Sequence, residues 1–257
     1  MNYGICALSV IPCRKEAAST SEMVTQLLFG ETYVVEELDE NWIKITTAYD
    51  HYPCFISAKQ HVPISEKDFT AINQTHLSSE LIQVINNEHL NSVFPLTIGA
   101  TLFNLNNNNC ELGALSFSFD GQVVDSTQKK PITDIINTAY LFLNAPYLWG
   151  GRSPFGIDCS GFTQLVYKLN GFKLPRDASQ QVEFGQALSF VEEAEPGDLA
   201  FFDNEAGNIV HVGIVLDNQQ IIHASGCVRI DKFDHYGIHH TDTKKYTHTL
   251  RVIKKII

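Results

Sequence analysis

The stretch formed by residues 147–162 constrains this chain more than any other part of it. It reads Tyr-Leu-Trp-Gly-Gly-Arg-Ser-Pro-Phe-Gly-Ile-Asp-Cys-Ser-Gly-Phe, so a loop rich in glycine leads to a cysteine. Apolar residues follow at helical spacing as far as a stop signal at Asn170. Asp158 suits the N-cap position, which puts Cys159 at the first helical residue, where unpaired N–H groups and the helix dipole favour a thiolate. The competing interpretation is that Cys159 is a small buried residue.

The segment 127–257 places helices before strands. Pro131 opens an amphipathic helix, and the helix of Cys159 follows it. From Leu199 onwards the sequence contains β-branched runs separated by turn residues, which predicts antiparallel strands. Helices followed by an antiparallel sheet are typical of an α+β domain, so we predict one such domain over residues 127–257.

The first half of the chain indicates two small β domains. Residues 1–60 contain short strands between turns, the pattern of a small β-barrel. Their motifs, from Arg-Lys-Glu through Gln-Leu-Leu-Phe-Gly-Glu and Trp-Ile-Lys-Ile to Tyr-Pro-Cys-Phe-Ile, resemble a bacterial SH3 domain. Hairpin signals dominate residues 61–126, where we predict a second small SH3-like β-barrel.

Length, charge and cysteine usage limit the classes of partner and location. A chain of 257 residues exceeds what one compact core usually needs. Its net charge of −11 argues against nucleic acid and an anionic membrane as partners, and no apolar run is long enough to span a membrane. The six cysteines are scattered, which indicates reduced thiols. We expect a cytoplasmic protein, or a secreted or periplasmic one if a leader has been removed; the oligomeric state stays open.

Two histidines lie within the predicted strands. His211 begins His-Val-Gly-Ile-Val and His223 lies in Ile-Ile-His-Ala-Ser, on strands that a turn near Asp217 connects. A hairpin centred on Asp217 would place the two rings opposite each other, and a shifted register would make them diagonal neighbours. Each could also be a structural histidine bonded to the backbone. With Cys159 they instead suggest a nucleophile, a base that later protonates the leaving amine, and an orienting residue that adds no charge.

These motifs together resemble the NlpC/P60 family of cysteine peptidases. The resemblance rests on Tyr147-Leu-Trp-Gly-Gly, Asp158-Cys-Ser-Gly-Phe, Leu-Pro-Arg176, Pro-Gly-Asp-Leu199 and His211-Val-Gly-Ile-Val. It implies a papain-like α+β catalytic domain with a triad of Cys159, His211 and His223, preceded by the two SH3-like barrels. The family cleaves bacterial cell-wall peptides, and the subgroup that this domain order resembles consists of γ-D-glutamyl-L-diamino acid endopeptidases. We expect a murein peptide substrate, released or in intact wall, with diaminopimelate or lysine after the glutamate.

The same resemblance implies which groups bind the substrate. Several members of the subgroup require a free N-terminal L-alanine. Its amine is contacted by the residues beside the nucleophile, here Asp158 and Ser160, and by acidic and tyrosine side chains of the first barrel. Tyr147 is expected to assist the oxyanion or to line the pocket. A cationic amine would suit such an acidic environment.

In the first barrel the candidates are less sharply defined. Tyr52 is the candidate tyrosine, and the candidate carboxylate is Glu22, with Glu16 and Glu31 as competitors. The barrel motif departs from the expected Gly-Trp-Ile, because it reads Pro-Cys-Phe-Ile here. That departure leaves open how the barrel fits the substrate.

Three other functions are compatible with these residues. Cys159, His211 and His223 are zinc ligands by type, but close-spaced ligand pairs and a fourth ligand are lacking, so we expect neither a metal nor a cofactor. A catalytically inactive protein that binds cell-wall peptides could keep the same scaffold. A thiol acyltransferase or amidase would form the same thioester and pass it to another acceptor.

Overall fold

The computed structural model describes residues 2–257, and the chain divides into two compact units. The first unit contains the residues up to Gln128 together with Trp149–Pro154, and the second contains Lys129–Leu148 and Phe155–Ile257. The first unit thus holds both segments that were predicted as separate small β domains. It also holds part of the loop that precedes Cys159.

The N-terminal part of the first unit is a seven-stranded antiparallel sheet, in the order β3-β2-β6-β5-β4-β1-β7. Side chains alternate between inside and outside along its strands, as in β5, where Ile43 and Ile45 are buried. Gly30, between β3 and β4, has φ of 78° and could not carry a Cβ, which would lie 1.9 Å from the carbonyl oxygen of Thr101. The strands are β1 (Asn2–Ile5), β2 (Val10–Arg14), β3 (Met23–Leu28), β4 (Thr32–Leu38), β5 (Trp42–Thr47), β6 (Pro53–Ser57) and β7 (Val62–Ile64).

A second SH3-like barrel over residues 61–126 is not confirmed. This segment forms an open four-stranded sheet, β10-β9-β12-β11, and a separate pair, β13-β8. The physical reason is a shared core: Ile85, Leu96 and Phe117 pack in one cluster with Ile5 and Phe29 of the N-terminal sheet, instead of closing a barrel of their own. The elements are α1 (Glu66–Ala71), β8 (His76–Ser78), β9 (Ile82–Asn87), β10 (Ser92–Thr97), β11 (Asn109–Leu112), β12 (Leu115–Ser118) and β13 (Val123–Asp125).

The loop segment 149–154, which includes β14 (Arg152–Ser153), is held in the first unit by a buried ion pair. The Arg152 guanidinium donates to both carboxylate oxygens of Glu31, at 2.8 and 3.0 Å, and to the Gln26 carbonyl at 2.7 Å. Arg152 and Glu31 are 2% and 4% exposed. Gly150 makes the close approach possible, because a Cβ there would lie 2.4 Å from the Met23 carbonyl oxygen. A charge buried this deeply is tolerated only with its partner.

The second unit has the predicted order of helices followed by an antiparallel sheet. Its strands follow the order β16-β22-β17-β18-β19-β20-β21, and β21 pairs back with β22, so this sheet closes on itself. The helices are α2 (Ile132–Leu141), α3 (Cys159–Leu169) and α4 (Ala178–Gln181). The strands are β15 (Gly156–Ile157), β16 (Gln186–Ala187), β17 (Leu199–Asp203), β18 (Ile209–Leu216), β19 (Gln220–Ser225), β20 (Cys227–Asp234), β21 (Gly237–His239) and β22 (Tyr246–Lys255).

Helix α3 is the buried centre of the second unit, and it begins where the sequence predicts. Asp158 caps it by accepting a 2.7 Å hydrogen bond from the Gly161 N–H. Every side chain of α3 is buried, and its polar ones have partners: Thr163 donates to Gln181 at 2.7 Å, and Gln164 donates to the Leu174 carbonyl at 3.2 Å. Within residues 2–257, no helix is long and apolar enough to cross a membrane.

We expect Glu31→Gln to lower the free energy of unfolding of the first unit by about 3 kcal/mol or more, because it leaves the buried Arg152 without its counter-charge. Urea denaturation followed by tryptophan fluorescence measures this unit selectively, since both tryptophans, Trp42 and Trp149, belong to it.

The matched control is Glu37→Gln. Glu37 forms an ion pair with Lys44 at 3.1 Å, but its side chain is 71% exposed. We expect this change to alter the free energy by about 0.5 kcal/mol or less. Equal losses in the two variants would contradict the importance assigned to the buried pair.

Candidate active site

Cys159 lies at the first residue of α3 and is buried. Its sulfur accepts hydrogen bonds from the backbone N–H groups of Val212 and Ser160. Because Val212 directly follows His211 in β18, the thiol of Cys159 lies at the strand that carries the predicted base. The start of α3 and the strand of His211 are therefore adjacent.

His211 and His223 form a direct hydrogen bond. Nε2 of His211 lies 2.8 Å from Nδ1 of His223, and the two ring planes are nearly perpendicular, at 87°. The strand register pairs His223 with Gly213, so the two histidines are diagonal neighbours rather than directly opposed. The turn is displaced from Asp217 because the residues after it, Asn218 and Gln219, adopt left-handed conformations with φ of 58° and 56°.

A buried carboxylate that the sequence interpretation missed lies behind the two histidines. Oδ2 of Asp231, in β20, is 3.2 Å from Nε2 of His223. Arg229 donates to both oxygens of Asp231, at 2.8 and 3.1 Å, and the Thr241 N–H donates at 2.7 Å. The expectation that the orienting group adds no charge is therefore incomplete, because His223 is itself bonded to an anion. The sequence could have indicated this group through Arg229 and Asp231. Side chains alternate along a strand, so these two lie on the same face of β20, next to the strand of His223.

Burial determines the charge of these groups. Burial is the largest of the effects that hold the pKa of His211 well below its usual value, and the neighbouring His223 and His248 lower that pKa further. Desolvation also lowers the pKa of His223, despite its bond to Asp231. Burial acts to raise the pKa of Asp231, but hydrogen bonds from His223, Arg229 and Thr241 outweigh it and keep that pKa well below its usual value. At neutral pH both rings are therefore neutral and Asp231 is a carboxylate.

The thiol of Cys159 differs from the thiolate that its helix position predicts. Burial, followed by the charge of Asp158, raises the pKa of Cys159 to about 12. The N–H groups of Val212 and Ser160 and the charge of Arg176 oppose this rise without cancelling it. A helix N-terminus is thus insufficient here, and the sulfur needs a base to become a nucleophile.

A third histidine, His248 in β22, also belongs to this cluster and was not anticipated. Its ring stacks on that of His211, with centroids 4.1 Å apart and an angle of 25° between the planes. Burial, followed by the charge of His223, lowers the pKa of His248 to about 4. A neutral ring therefore covers the face of His211. The sequence offered no signal for it, because β22 is far from β18 along the chain.

A pocket opens onto the histidine cluster. It has a volume of about 230 Å³ and is lined by Tyr147, Val210, His211, Ala224, Ser225, Gly226 and His248. Tyr147, expected to assist the oxyanion or to line the pocket, is one of these lining residues. Burial raises the pKa of the Tyr147 phenol, and the charges of Cys159 and Asp158 add to the rise, so the phenol remains a hydrogen-bond donor.

Asp158 and Ser160, which flank Cys159, are both held by Arg176. The Arg176 guanidinium donates to the two oxygens of Asp158 at 3.0 and 2.5 Å, and to Oγ of Ser160 at 2.9 Å. All three side chains are buried. The Asp158 carboxylate therefore accepts hydrogen bonds both from Arg176 and from the N-terminal turn of α3.

The residues predicted in the first barrel lie within the first unit. Glu22 accepts a 2.7 Å hydrogen bond from the Trp149 indole and one from Lys15 at 3.2 Å, and these bonds lower its pKa. Tyr52 packs against the core of the N-terminal sheet. The competitor Glu31 is buried against Arg152, so its oxygens serve the ion pair.

In the part of the chain that the structure describes, no group of three or more His, Cys, Asp and Glu side chains is arranged to hold a metal ion. His211 and His223 share a hydrogen bond instead of converging on a common point. A hydrogen-bonded pair of neutral rings is suited to proton transfer.

We expect His248→Phe to reduce the loss of stability in acid. Burial lowers the pKa of His248 to about 4, whereas its unfolded value is about 6.5. The unfolded chain therefore binds this proton more readily, and the stability contribution is lost as pH falls from about 6.5 through 4. Calorimetry between pH 7 and pH 4 should show a smaller fall of the melting temperature in the variant, which keeps a stacked ring.

His211 and His223, whose pKa values are also lowered, contribute to the acid sensitivity that the variant keeps, as do carboxylates with lowered pKa values such as Asp231. The control is His89→Gln, at an exposed position. Its melting temperature should fall with pH as steeply as that of the wild type. Parallel curves for all three proteins would contradict the assignment.

Comparison with known protein families finds two matching segments in the chain. The NlpC/P60 family profile matches residues 144–249, and that of the bacterial dipeptidyl-peptidase SH3 domain matches residues 13–60. A solved structure of an NlpC/P60 family protein from Bacillus cereus ATCC 10987 has a TM-score of 0.84, covers 99% of both chains and is 20% identical. At that identity the likeness concerns the fold alone.

Curated relatives match the chain over different lengths. The chain is 44% identical over 101 residues to the gamma-D-glutamyl-L-lysine dipeptidyl-peptidase of Bacillus subtilis (strain 168), covering 38% of this chain and 34% of that protein. The chain thus spans about a third of that relative's length. It is 26% identical over 226 residues to dipeptidyl-peptidase 6 of Lysinibacillus sphaericus, covering 80% of this chain and 81% of that protein. Residues 144–249 are thus an NlpC/P60 domain, and residues 13–60 are a bacterial dipeptidyl-peptidase SH3 domain.

Proposed function

We propose that this protein is a cysteine endopeptidase that hydrolyses murein peptides at the bond between γ-D-glutamate and a diamino acid. The observation that carries the proposal is the buried, hydrogen-bonded pair of His211 and His223 beside Cys159. The similarity to the gamma-D-glutamyl-L-lysine dipeptidyl-peptidase of Bacillus subtilis supports lysine as one diamino acid. We further propose that the substrate is a released peptide with a free N-terminal L-alanine.

The first chemical step follows from the pKa values of the two reacting groups. Cys159 is a thiol and His211 a neutral base, so His211 accepts the thiol proton as the sulfur attacks the γ-carbonyl carbon. Backbone N–H groups at the start of α3 then stabilise the oxyanion. The Tyr147 phenol, which remains protonated, is a further donor in this region.

The second step returns the proton. His211, now an imidazolium, protonates the amine of the diamino acid, the C–N bond breaks, and a thioester to Cys159 remains. A water molecule, deprotonated by His211, then attacks the thioester carbonyl and releases the γ-D-glutamyl product, which restores the thiol. Each proton that His211 takes up is thus given back within the cycle.

For the substrate's amine we propose a division of roles. Asp158 and Ser160, fixed by Arg176 on either side of Cys159, are the groups of the second unit that we propose to contact it. Glu22 and Tyr52 are the groups of the first unit that we propose to contact the ammonium. We do not propose Glu31 for this role, because its carboxylate already binds Arg152.

We expect Cys159→Ser to lower the rate of hydrolysis by ~10³ or more, because a hydroxyl is a far weaker nucleophile toward this base. Mass spectrometry of L-Ala-γ-D-Glu-L-Lys digests should show L-Ala-γ-D-Glu for the wild type and intact peptide for the variant. The diaminopimelate peptide and N-acetylated forms of both are tested in parallel, and the acetylated peptides should resist cleavage.

The matched control is Cys227→Ser, a partly exposed thiol of the same unit, which should retain activity. Binding of the peptide without cleavage by the wild type would indicate an inactive binding protein. Transfer of the acyl group to an added amine in preference to water would indicate a transferase. Equal cleavage of free and acetylated peptides would refute the role of the free amine.

A further inference from the structure

We propose that Asp231 is a positioning residue that fixes the protonated nitrogen of both active-site histidines and thereby makes Nδ1 of His211 the base. This inference rests on the proposed function for its chemical consequence. It adds a fourth member, on a third strand, to the series Cys159, His211 and His223.

The carboxylate of Asp231 determines which nitrogen donates in each hydrogen bond of the series. A carboxylate can only accept, so the 3.2 Å contact requires a proton on Nε2 of His223. A neutral His223 then has a lone pair on Nδ1, which accepts at 2.8 Å from Nε2–H of His211. A neutral His211 protonated on Nε2 has its lone pair on Nδ1. This nitrogen is the one able to accept the thiol proton.

The surroundings of Asp231 keep it an acceptor. Its side chain is 1% exposed, and Arg229 and the Thr241 N–H supply three further donors, which compensate the buried charge. Donors reach both oxygens, so an amide in this position would always direct its NH₂ group toward a donor. Asparagine therefore cannot reproduce the arrangement, although it has nearly the same size and shape.

Removing the charge has a definite consequence for the histidines. Without an obligate acceptor at Nε2, His223 can carry its proton on Nδ1, which then faces His211. His211 would have to accept on Nε2 and carry its proton on Nδ1, and it could no longer take a proton from Cys159. The same change of tautomer accounts for the ~10⁴ loss of kcat when the triad aspartate of a serine protease becomes asparagine. One ring further away, we expect a loss on the order of 10².

The test compares Asp231→Asn with Asp242→Asn in the full chain. Asp242 also binds Arg229, at 2.8 Å, but its side chain is 73% exposed and it is not bonded to His211 or His223. Nitrogen-15 NMR of the histidine rings, assigned with His211→Gln and His223→Gln, reports the protonated nitrogen. Wild type and Asp242→Asn should show Nε2–H on both rings. Asp231→Asn should show Nδ1–H on a substantial fraction, with kcat lowered about 100-fold on any peptide that the wild type cleaves.

The spectra need no substrate, so this inference and the proposed function can fail separately. A wild type with the predicted tautomers but no cleavage of any murein peptide would refute only the function. Nδ1–H on His211 in the wild type would overturn the inference, even if Asp231→Asn did not fold. A folded Asp231→Asn with wild-type tautomers and kcat would overturn it as well.

Discussion

The candidate active site depends on one chain of hydrogen bonds. It runs from Arg229 through Asp231 and His223 to His211. A carboxylate removed from water is costly unless several donors compensate it, and Asp231 has four such contacts. Those contacts come from β19, β20 and the loop after β21, so they exist only when the closed sheet of the second unit is complete. The state of the base is thereby linked to the folding of the sheet.

The same sheet positions Cys159, the proposed nucleophile. Helix α3 is buried on all sides, which is possible because its polar side chains are bonded to Gln181 and to the Leu174 carbonyl. Arg176 clamps the residues on either side of Cys159 through three hydrogen bonds. Burial keeps the sulfur protonated, so the proposed nucleophilic attack depends on removal of that proton by His211.

Local chemistry explains which expectations were met. The N-cap at Asp158, the helix that follows it and its end near Asn170 depend on residues a few positions apart, so the sequence predicts them well. The prediction of a second barrel was not confirmed, because Ile85, Leu96 and Phe117 pack against Phe29, which belongs to the N-terminal sheet. Hairpin patterns indicate that strands exist, but they do not show which apolar faces will share a core.

The sequence alone determined the α+β order of the second unit, the helix start that carries Cys159, and two histidines on neighbouring strands. These features are encoded by periodicity and capping, which act over one or two turns of chain. Only the tertiary structure decided the register that makes His211 and His223 diagonal, the stacking of His248, and the pairing of Glu31 with Arg152. It also decided that Asp231 lies behind His223 and that the thiol is buried. Those outcomes depend on distant segments and on the exclusion of water, because desolvation decides which buried groups can stay charged.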